Sequence, residues 1–145
     1  MKIAIVNGPN LNMLGKRDKE HYGEASYEDL CNNLKETYYD VDLIFFQSNY
    51  EGELIDFIQQ CDFNNFDGIV INPAALSHYS YALADCVCDV KVPCVEVHIS
   101  NIFAREDFRK TSLIAPHCIG SITGFGFFSY NLGLLSIMRH ISTKN

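Results

Sequence analysis

Short apolar runs alternate with longer amphipathic segments along almost the whole chain. The runs are rich in Ile, Val, Leu and Phe, and they predict β-strands at residues 2–6, 41–46, 68–71, 94–97 and 118–123. In the longer segments, apolar residues recur every three or four positions, which predicts helices over residues 26–39, 51–61, 79–87, 104–110 and 129–141. Strands and helices therefore alternate from one end of the chain to the other.

This alternation predicts an α/β domain in which helices cover both faces of one parallel sheet. Right-handed crossovers between five strands favour the flavodoxin-like, doubly wound strand order 2-1-3-4-5. A chain of 145 residues fits a single domain of this kind. In this fold, ligands bind beyond the carboxyl ends of the strands, where the order reverses between strands 1 and 3.

The loop after strand 1, residues 7–23, is about three times as long as a strand-to-helix loop usually is. Its first half is rich in Asn, Gly and Pro and predicts a fixed turn, whereas its second half is charged and lies between Gly15 and Gly23. We expect the second half, about residues 15–23, to be a flexible lid, although a solvated surface loop is the alternative. This segment carries Arg17 and Tyr22.

Composition and charge narrow the class of protein. Hydrophobic residues make up 48% of the chain, but no apolar stretch approaches the roughly 20 residues of a membrane span. The amino terminus enters a strand without the features of a signal peptide, so we expect a soluble, cytoplasmic protein. The net charge is −7 and the basic residues are scattered, which argues against a nucleic-acid partner.

The six cysteines favour buried free thiols, because a disulfide framework needs an oxidising compartment. Cys86, Cys88, Cys94 and His98 are close in the sequence and could suggest zinc. However, Cys86 and Cys88 should point to different sides of a helix, and the chain has no C-x-x-C pair. We therefore expect no metal site.

Tyr22 and Arg17 together suggest proton transfer. A phenol alone is a poor base at neutral pH, because it ionises only near pH ~10. A neighbouring guanidinium favours the ionised form, and Arg105 or Arg109 could add a second positive charge. Tyr22 would then be a plausible general base for a carbon acid. Simple stacking of an arginine on a surface tyrosine is the alternative.

The end of strand 4 supplies a candidate acid. His98 can present a ring nitrogen to the predicted ligand site and protonate a leaving hydroxyl, while Glu96 lies two residues earlier on the same strand face. A core histidine bonded to that carboxylate is the alternative, and both roles could hold together.

Other polar residues at the same sheet edge suit substrate binding. Arg109 can hold a carboxylate through two hydrogen bonds, and the backbone amides of Ile99 and Ser100 can donate to the same anion. Asn72 and His78 could bind hydroxyl groups, or they could be a turn amide and a helix cap. The chain lacks the glycine-rich phosphate-binding motifs, which argues against a nucleotide site.

Three motifs, in this order, resemble those of the type II 3-dehydroquinases, and the resemblance covers nearly the whole chain. They are Asn7-Gly8-Pro9-Asn10-Leu11-Asn12-Met13-Leu14-Gly15 with Arg17 and Tyr22-Gly23; Asn72-Pro73-Ala74-Ala75 with Ser77-His78; and Glu96-Val97-His98-Ile99-Ser100-Asn101 with Ala104-Arg105-Glu106 and Phe108-Arg109. Members of this family are cytoplasmic shikimate-pathway enzymes that remove water from 3-dehydroquinate to give 3-dehydroshikimate. A non-catalytic module that binds a small molecule or flavin on the same fold is the alternative.

The resemblance implies a role for each matching residue. Tyr22 is the base at C2 of the substrate, and Arg17 holds it as a phenolate and stabilises the transition state. His98 is the acid for the departing hydroxyl, and Asn10 stabilises the enolate between the two steps. Substrate binding falls to Asn72, His78, Ile99, Ser100 and Arg109, the last three around the substrate carboxylate.

The resemblance also implies an assembly and the absence of a cofactor. Such enzymes are trimers assembled into dodecamers, and Asp85 matches an aspartate that reaches a neighbouring subunit's site. Ala84 stands where many relatives have a basic residue, and Phe103 where a histidine is frequent. No metal or organic cofactor is implied, because the ketone of the substrate is itself the electron sink.

Overall fold

The structure is a computed structural model that describes residues 1–144, and it contains one sheet of five parallel strands. The strands are Lys2–Asn7 (β1), Asp42–Gln47 (β2), Gly68–Asn72 (β3), Cys94–His98 (β4) and Gly120–Thr123 (β5). The helices are Lys19–Tyr22 (α1), Tyr27–Thr37 (α2), Glu51–Phe63 (α3), Tyr81–Asp89 (α4) and Phe128–Lys144 (α5).

The strand order is β2-β1-β3-β4-β5, which confirms the predicted flavodoxin-like order. All four neighbouring pairs are parallel. In the central pair, Asn7 at the end of β1 is in register with Asn72 at the end of β3. The two asparagines therefore arrive side by side at the edge where the fold binds ligands.

Two hydrophobic layers enclose the sheet. On one face, α3 and α4 pack against side chains such as Val6 and Ile71, and on the other, α2 and α5 pack against Ile5 and Val97. Every residue of β3 and β4 is buried, as expected of parallel strands covered on both faces. This double cover gives the carboxyl ends of the central strands a rigid base.

Most predicted elements are present, with ends that differ by a few residues, but one helix prediction is wrong. Residues 104–110 do not form a single helix. They contribute to two short 3₁₀ turns, Ile102–Ala104 and Asp107–Lys110, separated by an extended backbone at Arg105. The side chain of Arg105 bonds to Tyr22 and Ser100, so a tertiary contact replaces the helical path that the sequence suggests.

Helix α2 shows how local sequence fixes a boundary. The Ser26 hydroxyl accepts from the Asp29 backbone amide, and the Asp29 carboxylate accepts from the Ser26 backbone amide, which together form a capping box. Within residues 1–144, no helix combines the length and the apolar character needed to cross a membrane. All six cysteines are free thiols, with Cys86 buried and Cys88 exposed.

Candidate active site

A cavity of about 120 Å³ lies at the carboxyl edge of the sheet, beside the ends of β1, β3 and β4. It brings together nine of the ten site residues that the sequence predicts. The lining contains Asn10, Arg17, Tyr22, Asn72, His78, His98, Ile99, Ser100 and Arg109, together with Arg105.

The remaining predicted residue, Asp85, does not line this cavity. It is exposed on α4, and its role in a neighbouring subunit's site stays a prediction.

The flap, residues 15–23, closes one side of the cavity with a short helix. Helix α1 begins after Asp18, whose carboxylate accepts from the Glu20 amide and from His21 Nδ1 at 2.5 Å. The hydrogen bond from His21 holds the pKa of the Asp18 carboxyl below its usual range. Gly15 and Gly23 flank the helix with φ of 86° and 76°, a region that other residues rarely adopt.

Two guanidinium groups contact Tyr22 from different directions. The Cζ atom of Arg17 lies 3.9 Å from the centroid of the tyrosine ring, in a stacked contact. Arg105 donates from Nη1 to the phenol oxygen at 2.7 Å and to the Ser100 hydroxyl at 3.2 Å. The sequence names Arg105 only as one of two candidates for a second cation, whereas in the structure it bonds directly to the phenol oxygen.

His98 lies above a buried carboxylate, as its place on β4 predicts. Its Nε2 atom is 3.2 Å from Oε1 of Glu96, although the alignment is too poor for a good hydrogen bond. The hydroxyl groups of Ser112 and Ser121 donate to the same carboxylate, at 2.7 and 3.0 Å. Burial raises the pKa of Glu96, but the contacts with His98 and the two serines outweigh it and lower the pKa overall.

His78 stands next to His98, with the ring centroids 6.0 Å apart and the planes nearly parallel. Its Nδ1 atom is 2.8 Å from the backbone oxygen of Thr111, so Nδ1 carries the proton and donates. Burial lowers the pKa of His78, and the nearby charge of Arg109 acts in the same direction. The neutral ring therefore keeps its second nitrogen, Nε2, as a hydrogen-bond acceptor.

Arg109 is held at the cavity by an acidic neighbour. Its Nε donates to Glu106, and this hydrogen bond lowers the pKa of the Glu106 carboxyl. Among residues 1–144, no acceptor is bonded to the two terminal nitrogens of Arg109, which leaves that edge of the guanidinium for an anion. Ile99 and Ser100 are both buried and lie on the adjoining wall.

Asn72 and Asn10 occupy different environments. Asn72 is buried, and its Oδ1 accepts from the backbone amide of Ala74, so the turn-amide explanation holds for that atom. Asn10 is exposed at the cavity mouth, with a left-handed backbone at φ of 71°, and its backbone amide donates to Oδ1 of Asn49. Asparagine tolerates this conformation better than most residues.

The charge of the cavity is opposite to that of the whole protein. Arg17, Arg105 and Arg109 line it, and no acidic residue does, although the chain carries a net charge of −7. An anionic ligand would therefore be attracted to this cavity. Within the described part of the chain, no group of three or more His, Cys, Asp or Glu residues is arranged to hold a metal ion.

A larger and more open cleft, of about 620 Å³, lies on the outer side of the flap. It shares Tyr22, Ile99, Ser100 and Arg105 with the inner cavity, so these four residues contribute to the wall between the two spaces. The outer cleft is lined by neither His98 nor Asn72. Of these two spaces, only the inner cavity is lined by both the candidate base, Tyr22, and the candidate acid, His98.

The chain is similar to known proteins along nearly its full length. The family model described as Dehydroquinase class II matches residues 1–138. A 3-dehydroquinate dehydratase of Clostridium acetobutylicum is 49% identical over 144 residues, which cover 98% of this chain and 99% of the relative. Another from Thermotoga petrophila is 52% identical over 143 residues, or 97% of each chain.

Solved structures give the same result. The type II dehydroquinase from Butyrivibrio crossotus superimposes with a TM-score of 0.93 at 45% identity, covering 95% of this chain and 97% of its own. The type II dehydroquinase from Propionibacterium acnes has a TM-score of 0.89 at 38% identity, covering 97% and 96%.

Proposed function

The chain belongs to the class II dehydroquinase family and is a 3-dehydroquinate dehydratase of the shikimate pathway, and we propose that Tyr22 and His98 perform its two proton transfers. One observation carries the proposal: Arg17, Tyr22, Arg105 and His98 line a single cavity that is positively charged. The reaction removes a proton and a hydroxyl from neighbouring carbons, so a base and an acid on one cavity meet its needs.

In the first step, the Tyr22 phenolate takes a proton from C2 of the substrate. The electron pair of the broken C–H bond moves toward the substrate ketone and gives an enolate. Arg105 donates to the phenol oxygen and Arg17 stacks on the ring, so two positive charges lie directly against the proposed base. Asn10, at the cavity mouth, stabilises the enolate.

In the second step, the enolate collapses and the hydroxyl leaves as water. His98 supplies the proton for that hydroxyl, and the product gains a double bond conjugated with the ketone. Glu96 supports this role because its buried carboxylate, held by two serine hydroxyls, lies 3.2 Å from Nε2 of His98 and so helps to orient the ring.

The substrate is held by groups on the remaining walls. Arg109 and the backbone amides of Ile99 and Ser100 bind its carboxylate, which suits the unbonded edge of the Arg109 guanidinium. Asn72 and His78 bind its hydroxyl groups. No cofactor is needed, because the substrate ketone accepts the electron pair.

Three further assignments complete the proposal. The flap acts as a lid that brings Arg17 and Tyr22 onto bound substrate, with Gly15 and Gly23 as its hinges. The protein assembles as a dodecamer of four trimers, in which the exposed Asp85 of one subunit reaches the cavity of the next. We place the single-domain enzyme in the cytoplasm.

The order of the two proton transfers can be tested with substrate deuterated at C2. Arg105→Ala weakens the base, so proton removal should become rate-limiting and the isotope effect on kcat should rise to its full value. His98→Gln weakens the acid, so loss of the hydroxyl should become rate-limiting and the isotope effect should fall toward unity.

Tyr39→Phe is the control, because this tyrosine is 87% exposed and does not line the cavity. Its isotope effect should equal that of the wild type. The opposite pattern, with a larger isotope effect in the His98 variant than in the Arg105 variant, would reverse the assigned roles.

A further inference from the structure

A buried chain of polar side chains connects the core to Asn72. The Tyr130 hydroxyl donates to Oδ1 of Asn7 at 2.6 Å, and Nδ2 of Asn72 donates to the Tyr130 oxygen at 2.9 Å. Tyr130 and Asn7 have no exposed surface, and Asn72 has only 3%. The three residues come from α5, β1 and β3, so the network joins three elements at the edge of the cavity.

One backbone amide determines the direction of every hydrogen bond in this network. The amide of Ala74 can only donate, so the Asn72 atom that it contacts at 3.1 Å must be the oxygen. The Asn72 nitrogen must then face Tyr130, whose oxygen accepts and whose proton is directed to an acceptor on Asn7. The orientation of the Asn72 amide is therefore fixed from both ends.

This arrangement leaves one hydrogen unused. Nδ2 of Asn72 carries two hydrogens, and among residues 1–144 only the Tyr130 oxygen accepts from it. Burial raises the pKa of Tyr130, so its hydroxyl stays protonated and keeps donating to Asn7. The second hydrogen on Nδ2 remains available to a ligand, because Asn72 lines the cavity.

We propose that Tyr130 is a positioning residue that locks the Asn72 amide so that it presents an N–H donor to an oxygen of the substrate. The site is therefore specific for a substrate oxygen that accepts a hydrogen bond, because Asn72 cannot rotate to offer its own oxygen without breaking its bonds to Ala74 and Tyr130. This inference rests on the proposed role of Asn72 in substrate binding.

The first test is Tyr130→Phe, which keeps the ring in the core and removes only the hydroxyl. One neutral hydrogen bond to substrate corresponds to about a twofold to tenfold change, so KM should rise by that factor while kcat stays nearly constant. Tyr38→Phe is the matched control, because its hydroxyl donates to the backbone of Asn131 outside the cavity. It should leave both constants unchanged.

The second test is a double-mutant cycle with Asn72→Ala. Tyr130 acts through Asn72, so removing the tyrosine hydroxyl in the Asn72→Ala background should raise KM no further. A general structural effect of the hydroxyl would instead add to the effect of Asn72→Ala. Additive increases in KM, or an unchanged KM in Tyr130→Phe, would overturn the inference and leave the role of Asn72 intact.

Asn72→Ala alone separates the inference from its premise. If it leaves KM unchanged, Asn72 does not bind substrate, and both the premise and the inference fail.

If Tyr130→Phe does not fold, Asn7→Leu provides an independent test, because it removes the acceptor of the Tyr130 hydroxyl at the other end of the network. Nδ2 of Asn7 has no hydrogen-bond partner among residues 1–144. An increase in KM is expected for this variant, and a wild-type KM would contradict the proposal.

Discussion

The flap and the sheet rim face the same cavity, but different kinds of contact hold them in place. The sheet rim, which comprises Asn7, Asn72 and His98 at the ends of β1, β3 and β4, is buried. Asn7 and Asn72 are hydrogen-bonded to Tyr130, and His98 lies 3.2 Å from the buried carboxylate of Glu96. The flap has a four-residue helix, and the pair formed by Asp18 and His21 that stabilises it is partly exposed to solvent.

The difference between the two regions matches their proposed roles, which are substrate recognition for the rim and opening and closing for the flap. Groups that recognise substrate must keep a fixed geometry, and the rim achieves this with side chains locked by the core. A lid must open and close, so its local structure cannot be very stable. In this proposal, the base lies on the less stable region and gains its second cation, Arg105, from outside the flap.

The largest expected effect is on the flap side. Tyr22→Phe removes the proton acceptor while keeping the aromatic ring, so kcat should fall by roughly 10²- to 10⁴-fold. Substrate should still bind, because the rim contacts are untouched. Steady-state kinetics, followed by the absorbance of the conjugated product, together with a direct binding measurement would check this, and near-normal turnover would exclude Tyr22 as the base.

Arg109 tests the opposite side of the cavity. Arg109→Ala removes a charged hydrogen-bonding partner of the substrate carboxylate, so KM should rise by roughly tenfold to a hundredfold with a smaller change in kcat. Lys110→Ala is the control, since Lys110 pairs with Asp107 and does not line the cavity. An unchanged KM in Arg109→Ala would argue against its role in carboxylate binding.

Substitutions at two glycines test the difference between the sheet rim and the flap through the free energy of unfolding. A Cβ at Gly8 would lie 2.5 Å from the backbone oxygen of Pro73, so Gly8→Ala should lower the free energy of unfolding by about 1–3 kcal/mol. A Cβ at Gly23 would meet nothing within 4 Å, but its φ of 76° disfavours alanine. Gly23→Ala should therefore disturb the backbone conformation of the flap, with little effect on the free energy of global unfolding.

Denaturant unfolding and limited trypsin digestion would separate these two outcomes. The flap contains Lys16, Arg17 and Lys19, so trypsin should cut the Gly23 variant there faster than it cuts the wild type. A large loss of global stability in Gly23→Ala would mean that the flap is part of the cooperative core.

The smallest effect concerns the pH dependence of the rim. The pKa of Glu96 is lowered in the folded protein, so its ionised form stabilises the fold above about pH 4.5, and this contribution is lost as the pH falls through the lowered value. Glu96→Gln removes this titration. The difference in unfolding free energy between wild type and variant should narrow on acidification, and a constant difference would show that Glu96 does not contribute in this way.

Local sequence was sufficient for most of the fold. Hydrophobic periodicity predicts the five strands, and the capping box at Ser26 and Asp29 fixes the start of α2, because both signals act within a few residues. The same reasoning fails at residues 104–110, where a helical pattern gives way to two turns. There the contacts of Arg105 with distant residues outweigh local helix propensity.

The sequence by itself determined the strand order, the edge at which the cavity lies and the residues that reach it. Only the tertiary structure decided that Arg105, 83 residues from Tyr22, bonds to the phenol oxygen, and that Tyr130 fixes the direction of the Asn72 amide. Periodicity reports which side of an element a residue occupies. The pairing of side chains across the cavity, and the direction of their hydrogen bonds, depend on how separate elements pack together.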